Sequence, residues 1–280
     1  MSVDDKIVLV TGAGGQLGQA LKKAAPLHSG LAFYFAGSGE ADITSRESLE
    51  ALFSRVTPHY CINAAAYTAV DKAEAEPGKA YAVNALGAKN LAEACVKYGT
   101  VLLHVSTDFV FDGSSTVPYT EEAVTNPTGV YGKSKLAGEA EVTRILPKHY
   151  IIRTSWVYSE FANNFMKTML RLASERDALS VVDDQRGTPT NANSLAEALI
   201  TIIENDSAQY GIYNYSNEGE ATWYEFAKKI FEVNKVSINL QPIPTTAFPT
   251  PAKRPAYSVL DKTKIKKVFN LTITNWQNEI

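Results

Sequence analysis

Tyr131 and Lys135 stand four residues apart. On a helix that spacing puts both side chains on one face. A cation beside a phenol favours the phenolate and lowers its pKa, which suits proton transfer. Spacing alone decides little, since chance supplies about one such pair in a chain of this composition, and Tyr224 with Lys228 is another. Context separates the two pairs. Tyr131 opens a helical stretch after the loop Asn126-Pro127-Thr128-Gly129 and follows Thr107, which ends an apolar run. A hydroxyl at the carboxyl end of a buried strand faces the crevice where such sheets bind ligands. Tyr224, beside Trp223 and Phe226, reads as a packing tyrosine with a surface lysine.

A second signal is Val10-Thr11-Gly12-Ala13-Gly14-Gly15-Gln16-Leu17-Gly18. It follows an apolar run and opens a helical pattern. Glycines allow a tight turn and close approach of backbone to a pyrophosphate, and a helix N-terminus supplies free N–H groups and a favourable dipole. The Lys-Ser/Thr of a phosphate-transferring loop is missing, which argues against ATP hydrolysis. A ribose-binding acid is expected at the end of the second strand. That region reads Phe33-Tyr34-Phe35-Ala36-Gly37-Ser38-Gly39, and Glu40 comes late. Without a carboxylate to repel a 2′-phosphate, the loop tilts towards NADP(H). No arginine clamps that phosphate, so NAD(H) stays open. Asp42 and Ile43 are candidates to flank the adenine, with a turn or cap as the plain alternative for Asp42.

These residues need a scaffold, and the apolar pattern supplies one. Short apolar runs at 7–10, 31–35, 60–62, 101–105 and 150–152 suit strands buried on both faces of a parallel sheet. Between them lie helical patterns at 17–25, 48–56, 77–98 and 131–146. The alternation predicts an α/β fold, a Rossmann-like doubly wound parallel sheet. Beyond about residue 155 it weakens, with helical stretches at 165–175, 195–204 and 224–233. Five prolines between Gln241 and Pro255 read as a loop over a surface. The expectation is a nucleotide-binding domain over 1–155, and over 156–280 mainly a smaller substrate-binding lobe with some segments returning to the first domain.

Composition narrows the function. A chain of 280 residues with 45% hydrophobic and 20% charged residues and net charge −3 is globular and not built to hold nucleic acid by bulk charge. No apolar run reaches the ~18 residues of a membrane helix. The start, with Asp4, Asp5 and Lys6, lacks the basic region of a secretory signal. Cys61 and Cys95 sit in apolar surroundings and read as buried free thiols. A soluble, cytoplasmic protein is expected. Four scattered histidines give no zinc spacing.

Together the glycine loop, Asn63-Ala64-Ala65-Ala66, Ser106-Thr107-Asp108 and Tyr131-xxx-Lys135 resemble an extended short-chain dehydrogenase/reductase. Longer blocks narrow the match: Asn63 to Glu74, Ser106 to Gly113, Tyr131 to Glu139, Arg153 to Tyr158, Asn163 to Leu172, Asp184 to Thr190 and Pro249 to Pro255. They are similar to the dTDP-4-dehydrorhamnose reductase family, which reduces the C4 ketone of a dTDP-6-deoxy-4-keto-L-sugar with NAD(P)H. The resemblance implies that Tyr131 is the general acid, that Lys135 holds the nicotinamide ribose and depresses the Tyr131 pKa, and that Thr107 hydrogen-bonds the ketone. It further implies that Gly12, Gly15, Gln16, Leu17 and Gly18 line the pyrophosphate and that Ala64, Ala65 and Ala66 back the cofactor. Asp108, Trp156, Asn164 and Arg254 would meet the sugar nucleotide, Arg254 at its diphosphate.

The sequence departs from the family pattern in places. Phe109 stands where the family often has Tyr. Some relatives dimerise around magnesium held by carboxylates, one of them in the helix after the glycine loop. Here that helix begins Gln19-Ala20-Leu21-Lys22-Lys23 with no acid, so no such metal is expected, and the chain should be a monomer or weak homodimer. The family pattern would also place a further helix beyond Ile280. Two other readings compete. An epimerase or dehydratase of the same superfamily is one, although dehydratases place Glu where Phe109 stands. A non-catalytic NADP-binding regulatory subunit is the other, although Thr107, Tyr131 and Lys135 are all present.

Overall fold

The computed structural model describes residues 6–280; the charged start at 1–5 lies outside them. The first half alternates strand and helix: β1 (Lys6–Thr11), α1 (Gln16–Ala24), β2 (Leu31–Ala36), α2 (Arg46–Val56), β3 (Tyr60–Asn63), α3 (Val70–Ala75), α4 (Pro77–Tyr81), α5 (Ala88–Tyr98), β4 (Val101–Thr107), α6 (Val130–Ile145) and β5 (His149–Thr154). In the second half follow β6 (Val157–Tyr158), α7 (Phe165–Glu175), β7 (Ala178–Val182), β8 (Arg186–Gly187), β9 (Thr190–Asn191), α8 (Ala192–Asn205), β10 (Gly211–Asn214), β11 (Ala221–Thr222), α9 (Trp223–Val233), β12 (Asn239–Ile243) and α10 (Thr263–Phe269). Among the described residues no helix is long and apolar enough to cross a membrane.

The central sheet has six strands in the order β10-β5-β4-β3-β1-β2, and every pairing in it is parallel. This is the doubly wound α/β architecture that the apolar alternation predicts. The sheet grows one way from β1 to β2, then the other way through β3. Such a reversal opens a crevice at the carboxyl ends of the two central strands. Alternate β1 residues feed opposite cores, as the two-residue period of a strand requires. Val8 and Val10 pack with Leu21 of α1 and Leu199 of α8. Leu9 packs with Phe53 of α2 and with Leu91 and Cys95 of α5. His28, just after α1, meets Glu204 at 2.8 Å and Glu197 at 3.0 Å, tying the end of α1 to α8.

Helix ends follow local chemistry. Ser45 caps α2 by accepting from Ser48 N at 3.2 Å, and Thr222 and Glu225 form a reciprocal capping box on α9. The helical pattern at 77–98 is not one regular helix: between α4 and α5 it takes a π-helical turn, Ala82–Gly87. There Asn84 turns its amide outward to Tyr67 and to Ser134 of α6. The proline-rich stretch also differs from its sequence reading. It begins as strand, since β12 pairs in parallel with β7 and includes Pro242. A two-stranded sheet has only edges, where a residue without N–H is tolerated.

Residues beyond 155 do two jobs. Strand β10 completes the central sheet beside β5, and α8 packs on α1 with α10 close by. The rest forms a lobe whose core joins Met169, Leu179, Phe226, Ile230 and Trp276.

Candidate active site

The carboxyl ends of β1, β3, β4 and β5 open into a cleft of about 580 Å³ that the lobe walls from the other side. At β1, Gly12 turns with φ +67° and lies so close to the next strand's exit that a Cβ there would sit 2.6 Å from Ala65 N and 2.7 Å from Ala64 C. Only glycine meets both demands. The α1 N-cap is Gly15, with no side-chain cap and no acid in the first turn. Its amides therefore face the cleft with a positive dipole end and no competing carboxylate, and a side chain at Gly14 would meet nothing within 4 Å. These features fit the pyrophosphate of a dinucleotide.

Three catalytic candidates converge at β4. Thr107 ends the strand and caps the next turn, accepting from Phe109 N at 3.2 Å and donating to Asp108 Oδ1 at 3.0 Å. Tyr131 and Lys135 lie on α6, which starts where Glu74 Oε1 accepts from Val130 N at 2.8 Å. This helix is pressed on the chain leaving β4: a Cβ on Gly132 would stand 2.2 Å from Phe109 O. That closeness brings Tyr131 beside Thr107 and sets its ring edge-on to Phe109, 5.6 Å between centroids. Lys135 is 2% exposed and donates from Nζ to Val105 O at 2.6 Å.

Burial dominates the electrostatics. It pushes the Tyr131 phenol up to about 12, against a downward pull from the Thr107 hydroxyl. It brings Lys135 down to about 8, against the pull of Glu139. The expected lowering of the Tyr131 pKa by Lys135 is therefore reversed: the ammonium is engaged by Val105 and desolvation of the phenol wins. A phenol near 12 is protonated at neutral pH and ready to donate. Burial also raises Asp108 to about 6, and its Oδ2 is buried without a hydrogen-bond partner.

The lobe supplies the opposite wall. Trp156 adopts φ +45°, a left-handed conformation costly for a bulky side chain. It lies face to face with Trp223, 3.5 Å between centroids and 8° apart, with Phe165 against the second ring. Arg254 reaches the rim from the proline-rich stretch and grips Asp71 with two bonds, 3.0 and 2.8 Å. Asp71 also accepts from Ala252 N at 3.2 Å. A smaller cavity of about 290 Å³ shares Phe165, Trp223 and Arg254 with the cleft.

Of the residues singled out from sequence, Gly15, Gln16, Leu17, Ala64, Ala66, Thr107, Asp108, Tyr131, Lys135, Trp156 and Arg254 line the cleft. The others do not. Gly12 and Ala65 form the turn beneath it, and Gly18 packs against the Gly12 and Ala13 backbone. Asp42 is spent on the amide and hydroxyl of Thr44, and the Ile43 side chain is buried in the core against Gly87. Asn164 caps α7 through Lys167 N and gives its amide to Gln16, Ser159 and Phe161. It thereby holds Gln16 at the cleft, while its neighbour Asn163 lines the wall. Sequence reasoning missed Trp223, whose aromatic neighbours read as packing, and Asp71, which is 183 residues from its partner.

Comparison with known proteins accords with this arrangement. The model of the RmlD substrate binding domain family matches residues 6–280. A dTDP-4-dehydrorhamnose reductase from Aggregatibacter actinomycetemcomitans is 44% identical, covering 98% of this chain and 96% of its own. One from Escherichia coli strain K12 is 41% identical over 96% and 94%. A Bacillus anthracis dTDP-4-dehydrorhamnose reductase, solved in complex with NADP, superposes with a TM-score of 0.94 at 38% identity, covering 98% of this chain and 96% of that one. A Thermus thermophilus UDP-glucose 4-epimerase, TM-score 0.79 at 23% identity, shares the fold. With a match that runs the length of the described chain and relatives above 40% identity, this chain belongs to the dTDP-4-dehydrorhamnose reductase family.

Proposed function

We propose that this chain is an NAD(P)H-dependent reductase that converts the C4 ketone of dTDP-4-dehydro-6-deoxy-L-mannose to the alcohol of dTDP-L-rhamnose. One observation carries the reading: the glycine loop and the Thr107, Tyr131, Lys135 set open on one cleft, in a chain 44% identical to a reductase of that name. NADPH is favoured over NADH. No acid ends β2, and Glu40, in the turn that follows, is held by Tyr34 and Arg55. The B. anthracis relative was solved with NADP.

When bound, the nicotinamide supplies hydride to the ketone carbon. The amides of Gly15, Gln16 and Leu17 would hold its pyrophosphate, with Ala64 and Ala66 beneath. Tyr131 gives the proton that the carbonyl oxygen needs, and its high pKa keeps that proton in place until charge develops. The Lys135 cation then supports the phenolate. Thr107 orients the ketone oxygen, backed by Asp108. Trp156 covers the sugar, and Arg254 meets the diphosphate. On this reading residues 1–155 mainly bind cofactor and 156–280 mainly bind substrate. A monomer or weak homodimer in the cytoplasm suits buried free Cys61 and Cys95.

The test is loss of reduced-nicotinamide absorbance with the keto sugar made in situ, comparing NADPH with NADH. Rapid oxidation, faster with NADPH, is expected. Cofactor binding without oxidation would overturn the reading.

A further inference from the structure

Beneath the cleft lies a buried ion pair that the chemistry above does not use. Glu139 and Arg153 have side chains 3% exposed each, with Arg153 Nη2 2.7 Å from Glu139 Oε2. Arg153 Nε also donates to both carboxylate oxygens, at 3.1 and 3.2 Å. Ser106 Oγ donates to the same carboxylate. Arg153 is completed by Glu121 O at 3.3 Å and by the ring of Phe111, 5.3 Å away. Sequence position makes this pair pointed. Glu139 is one turn beyond Lys135 on α6, Ser106 directly precedes Thr107, and Arg153 is the register partner of Ser106 across β4 and β5. Hydrophobic residues of similar size would pack this site without the desolvation cost of two ions.

We infer that Glu139 is a positioning residue for the reaction: its carboxylate fixes α6 against β4 and β5, and its negative charge keeps Lys135 in the cationic form. This rests on the role proposed for Lys135. The titratable groups around Lys135 are Tyr131 and Glu139 on its own helix, His104 on β4, Asp108 on the turn after β4, and Arg153 on β5. Burial and the Lys135 charge hold His104 well below its ordinary pKa, so it is neutral. Tyr131 is protonated at neutral pH. Asp108, near 6, is ionised at neutral pH as well, but the charge that opposes the desolvation of Lys135 is that of Glu139, one turn along the same helix.

The sign follows. Removing the Glu139 charge leaves Arg153 as an unpaired cation nearby and favours loss of the Lys135 proton. With Lys135 brought down to about 8, kcat/KM of the wild type should fall on the alkaline side, and Glu139→Gln should move that fall to lower pH by about one unit. Glu139→Asp keeps the charge and should leave the fall in place, even if its shorter arm lowers kcat. Should Glu139→Gln not fold, combining it with Arg153→Gln removes the unpaired cation, and the fall should still move to lower pH. An equal loss of kcat/KM at every pH in Glu139→Gln, or in the double variant where the single one does not fold, would overturn the inference and leave the reductase reading intact. A wild-type enzyme with no alkaline fall, or an unchanged profile in Lys135→Met, would instead remove the role of Lys135 and the inference with it.

Discussion

On the sheet side of the cleft, Thr107 and Lys135 are 5% and 2% exposed and are held by strand register, a strand carbonyl and a helix pressed on the chain leaving β4. On the lobe side Trp156, Trp223 and Arg254 keep part of their surface in the cleft. There a ring stack and one ion pair set the geometry. The sheet side places groups whose protonation matters, where burial shifts pKa and small displacements cost rate. On the proposed function, the lobe side would offer area and charge to a flexible sugar nucleotide. Mutations on the two sides should therefore fail in different ways: chemistry on one, binding on the other.

The largest effect should come from Tyr131→Phe. Turnover should fall by ~10² or more while NADPH affinity, read by fluorescence titration, changes little, because a proton donor is lost and packing is kept. Turnover within a few-fold of wild type would break the assignment of the sheet side. Trp223→Ala should sharpen the contrast. It removes the ring that holds Trp156 in its left-handed conformation. KM for the sugar nucleotide should rise about tenfold with kcat changed far less, the signature of lost uniform binding. A pure kcat loss would place Trp156 in the chemistry.

The smallest effect lies far from the cleft, at His28. Burial lowers its pKa, but hydrogen bonds that the ring donates to Glu204 and Glu197 outweigh this, and the net shift is upward. A raised folded-state pKa means stability fully present below the unfolded value near 6.5 and lost as pH rises through the folded value. His28→Gln should cost under about 1 kcal/mol at pH 6 and nothing at pH 9, because the glutamates are partly solvated. Urea melts at the two pH values measure it. An equal cost at both would mean that packing, and not charge, joins α1 to α8.

What could be read from sequence was what is local. The apolar run of β1, the glycines after it and the Tyr131–Lys135 spacing each lie within about ten residues, and each fixes a piece of the sheet side. Much of the lobe side depends on chain segments that meet only in three dimensions. Nothing near Arg254 announces Asp71, and nothing near Trp156 announces a stacked Trp223. Asn163 and Asn164 are indistinguishable until the helix start is known, when one caps it and the other faces the cleft. The direction of the Tyr131 pKa was also out of reach. Spacing reveals a neighbouring cation, but only the packed structure reveals how much water the phenol has lost.

Strand β10 has a consequence in time. A ribosome that has made residues 1–155 has supplied five strands of the central sheet, yet the outer edge of β5, six buried residues long, has no partner. Gly211–Asn214 closes that edge only after the first lobe segments, from β6 to β9, and α8 have been synthesised. An open, apolar strand edge is a template for pairing with another chain. The half that would bind the cofactor is therefore not a unit that can be cut from this chain. It reaches its finished form late, and until then it must be kept from its own copies.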